Sequence, residues 1–122
     1  MTADSVVIRN GLIYEKPLDR EDAIRIIRTL AGATHYVITG VCLISKAKTV
    51  SFADRTDVWM EEMTDEEIEF YVDQFEPYDK AGAYGIQDWI GVTKVKRIEG
   101  SYHTVMGLPV RRVYAALRDF GV

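Results

Sequence analysis

Cysteine is almost absent from this chain. Of its 122 residues only Cys42 carries a thiol, so no internal disulfide is available and a reducing, cytoplasmic setting is expected. Histidine is nearly as scarce, and two histidines with one cysteine leave no Cys/His zinc pattern. Basic charge is in deficit: 15 Lys and Arg against 19 Asp and Glu give a net charge of −4. That balance argues against sequence-independent nucleic-acid binding and against a basic membrane patch. No apolar run approaches the roughly 20 residues of a membrane helix, and the opening MTADSVVIRN lacks a charged region followed by an apolar stretch. Repeats, low-complexity tracts and linkers are missing too. The three prolines, Pro17, Pro77 and Pro109, stand apart as boundary markers. With 48% hydrophobic residues the chain can bury one core, so a single domain over residues 1–122 is expected.

What is present reads as alternating strands and helices. Ser5–Ile8 and Leu12–Tyr14 are β-favouring runs around Asn10-Gly11, the dipeptide that best tolerates the positive φ of a tight hairpin. Asp19 is placed to cap a helix over Arg20–Leu30, whose Ala23, Ile26, Ile27 and Leu30 recur at helical spacing before Gly32 stops it. Tyr36–Ile44, and then Val50–Phe52 with Val58–Met60, predict two strands joined by the polar stretch Ser45–Thr49. Thr64 with Glu67 forms a capping-box pattern ahead of Ile68, Tyr71, Val72 and Phe75, which fall at i, i+3, i+4 and i+7. The stretch DKAGAYGIQ, residues 79–87, reads as a shaped loop, Ile90–Ile98 as a strand, and Pro109 as the first turn of a closing helix bearing Val110, Val113, Tyr114 and Leu117. This order predicts an α/β fold in which a mixed, twisted sheet is flanked by helices.

The acidic stretch EEMTDEEIEFYVDQFE, residues 61–76, holds eight carboxylates in sixteen residues. Its apolar positions form one helical stripe, so most of those carboxylates are expected on a solvated face rather than around a cation. His35 and His103 belong to no ligand-spaced motif and are expected in structural or supporting roles. Cys42, in an apolar strand, reads as a small buried hydrophobe and not a nucleophile.

Several blocks share a likeness: Ala3-Asp4-Ser5-Val6-Val7, Glu15-Lys16-Pro17, THYVITG at 34–40, DKAGAYGIQ at 79–87, and Ile98-Glu99-Gly100-Ser101-Tyr102 leading to Val105-Met106-Gly107-Leu108-Pro109. Together they resemble the Maf family of nucleoside triphosphate pyrophosphatases, from about residue 3 to residue 117. The match to DKAGAYGIQ is closest to the branch acting on dTTP and UTP. The resemblance implies a Maf/ITPase-like fold and hydrolysis of a nucleoside triphosphate to its monophosphate and pyrophosphate. Modified pyrimidine nucleotides are further candidate substrates. It also implies that the chain corresponds to the C-terminal portion of the family's usual chain, because the family's opening Ser- and Arg-rich phosphate-binding segment has no counterpart before Met1. A truncated, inactive nucleotide-binding or interaction domain is therefore the alternative.

Splitting an α,β phosphoanhydride needs a divalent ion, Mg²⁺ or Mn²⁺, to neutralise phosphate charge, a carboxylate to hold that ion or accept a proton from water, and cations around the oxygens. By the resemblance, Asp4 is the proton acceptor or metal-linked acid, Lys16 a phosphate contact, and Ser5 and Gln87 bear on base choice. Asp79 assists the metal and Lys80 the phosphates. Gln87 suits a pyrimidine because an amide offers both a donor and an acceptor. The hairpin turn is expected to bring Asp4 and Lys16 onto adjacent strands near one end of the sheet. Serine at position 5, where the family commonly has threonine, keeps the hydroxyl, while Asp88-Trp89 stands where many relatives have glycine. Family members are often dimers, which makes a homodimer an expectation. A hairpin edge left without a neighbouring strand also predicts self-association.

Overall fold

The structure, a computed structural model, describes residues 2–44, 48–105 and 110–119. Pro109 and most of the Ser45–Thr49 connection lie outside the described residues, as does the side chain of His103. The chain runs β1 (Thr2–Arg9), β2 (Leu12–Tyr14), α1 (Arg20–Leu30), β3 (Thr34–Ile44), β4 (Thr49–Met60), α2 (Asp65–Phe75), α3 (Trp89–Lys94), β5 (Val95–Glu99), α4 (Tyr102–Val105) and α5 (Val110–Asp119). Two 3-10 turns, Pro77–Asp79 and Ala81–Ala83, shape the segment between α2 and α3. Among the described residues no helix is long and apolar enough to cross a membrane.

Helices flank one five-stranded sheet of order β2-β1-β3-β4-β5, the expected α/β arrangement. Every described pairing is antiparallel, whereas a mixed sheet was expected. The reason is the placement of β1. The β2-α1-β3 step does bring two strands into the same direction, but β1 lies between them and is antiparallel to both.

Local signals account for the first half. Asn10 and Gly11 both take positive φ, 52° and 75°, and close the β1–β2 hairpin. The Asp19 side chain accepts from the Asp22 N–H at 2.8 Å and starts α1, and Thr64 and Glu67 cap α2 reciprocally. In β3 the alternation places His35, Val37, Thr39, Val41 and Leu43 on the buried face. That face meets Ala23, Ile27 and Leu30 of α1 and Ile68, Tyr71 and Val72 of α2 in the main core. Val41 and Leu43 continue it to Val113 and Ala116 of α5. Phe75, the last member of the α2 stripe, is 41% exposed, stacked on Tyr71 rather than enclosed.

As expected, two strands follow α1, and one later element differs from expectation. The two runs of β4 are one strand, because the polar stretch between them pairs residue by residue with β3, from Tyr36↔Asp57 to Gly40↔Ala53. The segment expected as a strand from Ile90 to Ile98 is α3 followed by the shorter β5. Asp88 caps α3 by accepting from the Ile90 N–H, and Thr93 turns its hydroxyl back onto the Trp89 carbonyl. Only Ile90 is taken into the core, while Val92 is 81% exposed. β-branched residues favour strands only where a pleated surface receives them.

Pairing between β1 and β2 covers Val7, Ile8 and Arg9 only. On that side Asp4, Ser5 and Val6 have no strand beside them among the described residues, and Leu12 and Ile13 of β2 are 62% and 60% exposed. Sedimentation of the purified chain at high concentration is expected to show species heavier than a monomer; a monomer throughout would contradict that expectation.

Candidate functional site

One cavity of about 320 Å³ gathers residues from three distant parts of the chain. Asp4 and Ser5 come from β1, Lys16 from the segment after β2, and Asp79, Lys80, Tyr84, Gly85 and Gln87 from the loop between α2 and α3. Val7, Val37, Ala81 and Val105 complete the lining. The structure thus brings together Asp4, Ser5, Lys16, Asp79, Lys80 and Gln87.

Each arrives for a local reason. The β1–β2 ladder ends at the Val7↔Tyr14 pair, two residues before Lys16, which lines the cavity just beyond the hairpin. Asp4 accepts the Ser5 N–H at 3.0 Å, and the Ser5 hydroxyl is hydrogen-bonded to the buried Thr39 hydroxyl across the β1–β3 pair at 2.7 Å. The loop is tied to the hairpin by the Gly82 N–H, which donates to the Glu15 carbonyl at 3.2 Å. Gly82 has φ of 70°, and an added Cβ would lie 2.7 Å from Val7 Cγ2. Only glycine satisfies both the left-handed backbone and the approach to β1. Lys80 and Asp79 pair at 3.3 Å, and Lys80, assisted by the more weakly acting Lys16, holds the Asp79 carboxyl below its usual range.

The acidic helix supplies no part of this cavity. Its Asp73 and Asp65 meet Arg20 and Arg28 of α1, and Glu67 meets Lys94. The α1–α2 pairs are largely exposed and therefore worth little individually. Cys42 is half-buried on β3 and away from the cavity lining.

Sequence reasoning left unassigned the bonds beneath the cavity. The Tyr84 hydroxyl is hydrogen-bonded to His35 Nε2 at 2.6 Å, and the two rings meet edge to face. Burial, with a smaller contribution from the Arg9 charge, lowers the His35 pKa from about 6.5 to about 4. The parity of β3, which places residue 35 with Val37 and Thr39, was the available signal for a buried histidine. The unfolded chain takes up this proton near the ordinary value. Between about pH 6.5 and about 4 it therefore binds more protons than the folded chain, and stability falls as pH falls. From pH 7 to pH 5 the loss assigned to His35 is about 2 kcal/mol. Urea unfolding of His35→Gln is expected to show a correspondingly flatter pH dependence across that window; the same slope in both proteins would contradict it.

For a divalent cation, the cavity offers the carboxylates Asp4 and Asp79. Among the described residues no group of three or more His, Cys, Asp or Glu is arranged to hold a metal ion. Two carboxylates fit Mg²⁺ of the kind shared between protein and substrate phosphates, and do not form an all-protein cage.

Known proteins are similar to this chain in sequence. The family described as Maf-like protein matches residues 1–120. A dTTP/UTP pyrophosphatase of Porphyromonas gingivalis is 51% identical over 99% of this chain and 61% of its own length. Proteins of the same name from Bacteroides fragilis and Bacteroides thetaiotaomicron are 47% and 45% identical over 98% and 97% of this chain, and 62% and 61% of their own lengths. The chain thus spans about 61% of the length of these curated relatives.

Proposed function

The chain belongs to the Maf family, and from that membership we propose that it forms the nucleotide site of a pyrophosphatase that splits dTTP or UTP into the monophosphate and pyrophosphate. The observation that carries this reading is the convergence of Asp4, Lys16, Asp79, Lys80 and Gln87 on one cavity. Its volume, about 320 Å³, lies in the range of small-molecule sites.

Charge assigns the roles. Lys16 and Lys80 meet the phosphate oxygens, where cations stabilise the charge that builds on the leaving pyrophosphate. Asp4 and Asp79 would repel a triphosphate unless a cation stood between them. Those two carboxylates would hold Mg²⁺ or Mn²⁺, which supplies neutralisation of phosphate charge and polarisation of the bridging oxygen. Asp4 accepts the proton of the attacking water. At the other end, Gln87 presents an amide to the base, and an amide matches the paired donor and acceptor on a pyrimidine edge. Ser5, held by Thr39, borders the same space. Modified pyrimidine nucleotides are included among the proposed substrates.

The test is release of pyrophosphate from dTTP and UTP by the purified chain with Mg²⁺ or Mn²⁺. Release above an Asp4→Asn control supports the proposal, and none above it contradicts catalysis by this chain. The relatives extend well beyond the matched stretch, which favours one second reading, nucleotide binding without turnover. Calorimetry separates the two: heat of UTP binding without pyrophosphate release identifies the second.

A further inference from the structure

We infer that Tyr71, a core residue of α2, is a positioning residue for Gln87: its hydroxyl bridges the two ends of the turn that carries that amide into the cavity. This rests on the base-facing role proposed for Gln87. The turn runs from Gly85 to Asp88 and is closed by the Asp88 N–H donating to the Gly85 carbonyl at 3.2 Å. Within it Ile86 is buried and anchors the turn, while Gln87 is exposed and lines the cavity.

The Tyr71 oxygen accepts the Gly85 N–H at 3.0 Å and donates to Asp88 Oδ2 at 2.7 Å. An amide N–H only donates and a carboxylate only accepts, so the direction of this chain of bonds is fixed. The other Asp88 oxygen caps α3 through the Ile90 N–H at 3.2 Å. One buried oxygen therefore ties α2, the start of the turn and the cap of α3 into a single unit. Burial first, and Asp88 second, push the Tyr71 hydroxyl above its ordinary titration range, so it stays protonated and keeps both bonds. Gly85 also lies against the stem of Lys80: a Cβ there would come within 2.8 Å of Lys80 Cε and 2.9 Å of Asp88 Oδ2. Displacing Gly85 thus moves the base-facing and phosphate-facing groups relative to each other. Paired bonds to a buried group rigidify the segment they join.

Tyr71→Phe removes one oxygen and keeps the ring stacked on Phe75 and Trp89. In the full chain, hydrogen exchange at the Gly85 amide is expected to rise at least tenfold while the central β3 amides keep their protection. Unchanged exchange at Gly85 overturns the inference. The second readout is the ratio of affinities for UTP and GTP, with inorganic pyrophosphate as the probe for the phosphate end. Tyr71→Phe is expected to reduce the UTP preference about fivefold and leave pyrophosphate affinity within twofold. An equal loss for all three probes marks general loosening and overturns a positioning role. Gln87→Ala separates the two levels. If Gln87→Ala abolishes the preference and Tyr71→Phe does not, the inference fails; if Gln87→Ala leaves the preference intact, the base-facing reading fails, and Gly85 exchange still decides the bridge. Should Tyr71→Phe not fold, Asp88→Asn removes one acceptor of the same bridge and is expected to raise Gly85 exchange in the same way.

Discussion

Gly91→Ala is expected to destabilise the protein by about 4 kcal/mol, far more than a methyl group costs at most positions. Gly91 lies in α3, directly beneath the turn that carries Gln87. A Cβ there would fall 1.6 Å from the Ile86 carbonyl oxygen, 2.4 Å from its carbon and 2.8 Å from its Cα. These are backbone atoms of a turn already closed by a hydrogen bond, so no side-chain rotation relieves the clash. Either α3 moves away from the turn or the turn opens, and both routes loosen the Asp88 cap and expose Ile90, which is fully buried. The contrast is Gly40, where an added Cβ meets nothing within 4 Å. Gly40→Ala is expected to unfold within about 1 kcal/mol of the wild type. Urea unfolding of the three proteins checks both statements. A Gly91→Ala protein with the wild-type midpoint would show that α3 does not pack beneath the turn as described.

The second large effect falls on chemistry. Asp4→Asn preserves the size of the side chain and a carbonyl oxygen able to accept the Ser5 N–H, so the start of β1 is expected to fold unchanged. What it removes is a negative charge and a proton acceptor. If Asp4 draws the proton from water or shares a cation with the phosphates, pyrophosphate release falls by about 10²–10⁴. Affinity for UTP without divalent metal should then hold or rise, because one repulsive carboxylate is gone from the cavity. Turnover within threefold of the wild type would remove Asp4 from the mechanism. A parallel loss of binding without metal would point to structure instead.

How much of this was legible in the sequence depends on the range of the forces involved. The hairpin at Asn10-Gly11, the Asp19 cap of α1 and the Thr64–Glu67 box of α2 are decided within four residues, and the structure contains each of them. The Ile90–Thr93 run misled because its β-branched residues point to a strand. The outcome was decided by the Asp88 cap and by the fit of Gly91 against Ile86, which depend on how the loop lies. Among the described residues the sheet has no parallel neighbours because β1 lies between β2 and β3, which no local signal announces. At the cavity, Asp4, Ser5, Lys16, Asp79, Lys80 and Gln87 were singled out by type and by resemblance, and they meet. Their supports were not visible beforehand. His35 and Tyr84 are 49 residues apart in the chain, and Tyr71 and Asp88 are 17 apart, so neither bond has a local sequence signature.

The convergence of these distant segments on one nucleotide is tested most directly by titrating isotope-labelled protein with UTP and Mg²⁺ and following backbone amide resonances. Concerted shifts are expected at Ser5, Lys16, Lys80, Gly85 and Gln87, with α5 and the Thr49 end of β4 unmoved. Shifts confined to another surface, or none at saturating nucleotide, would contradict that convergence.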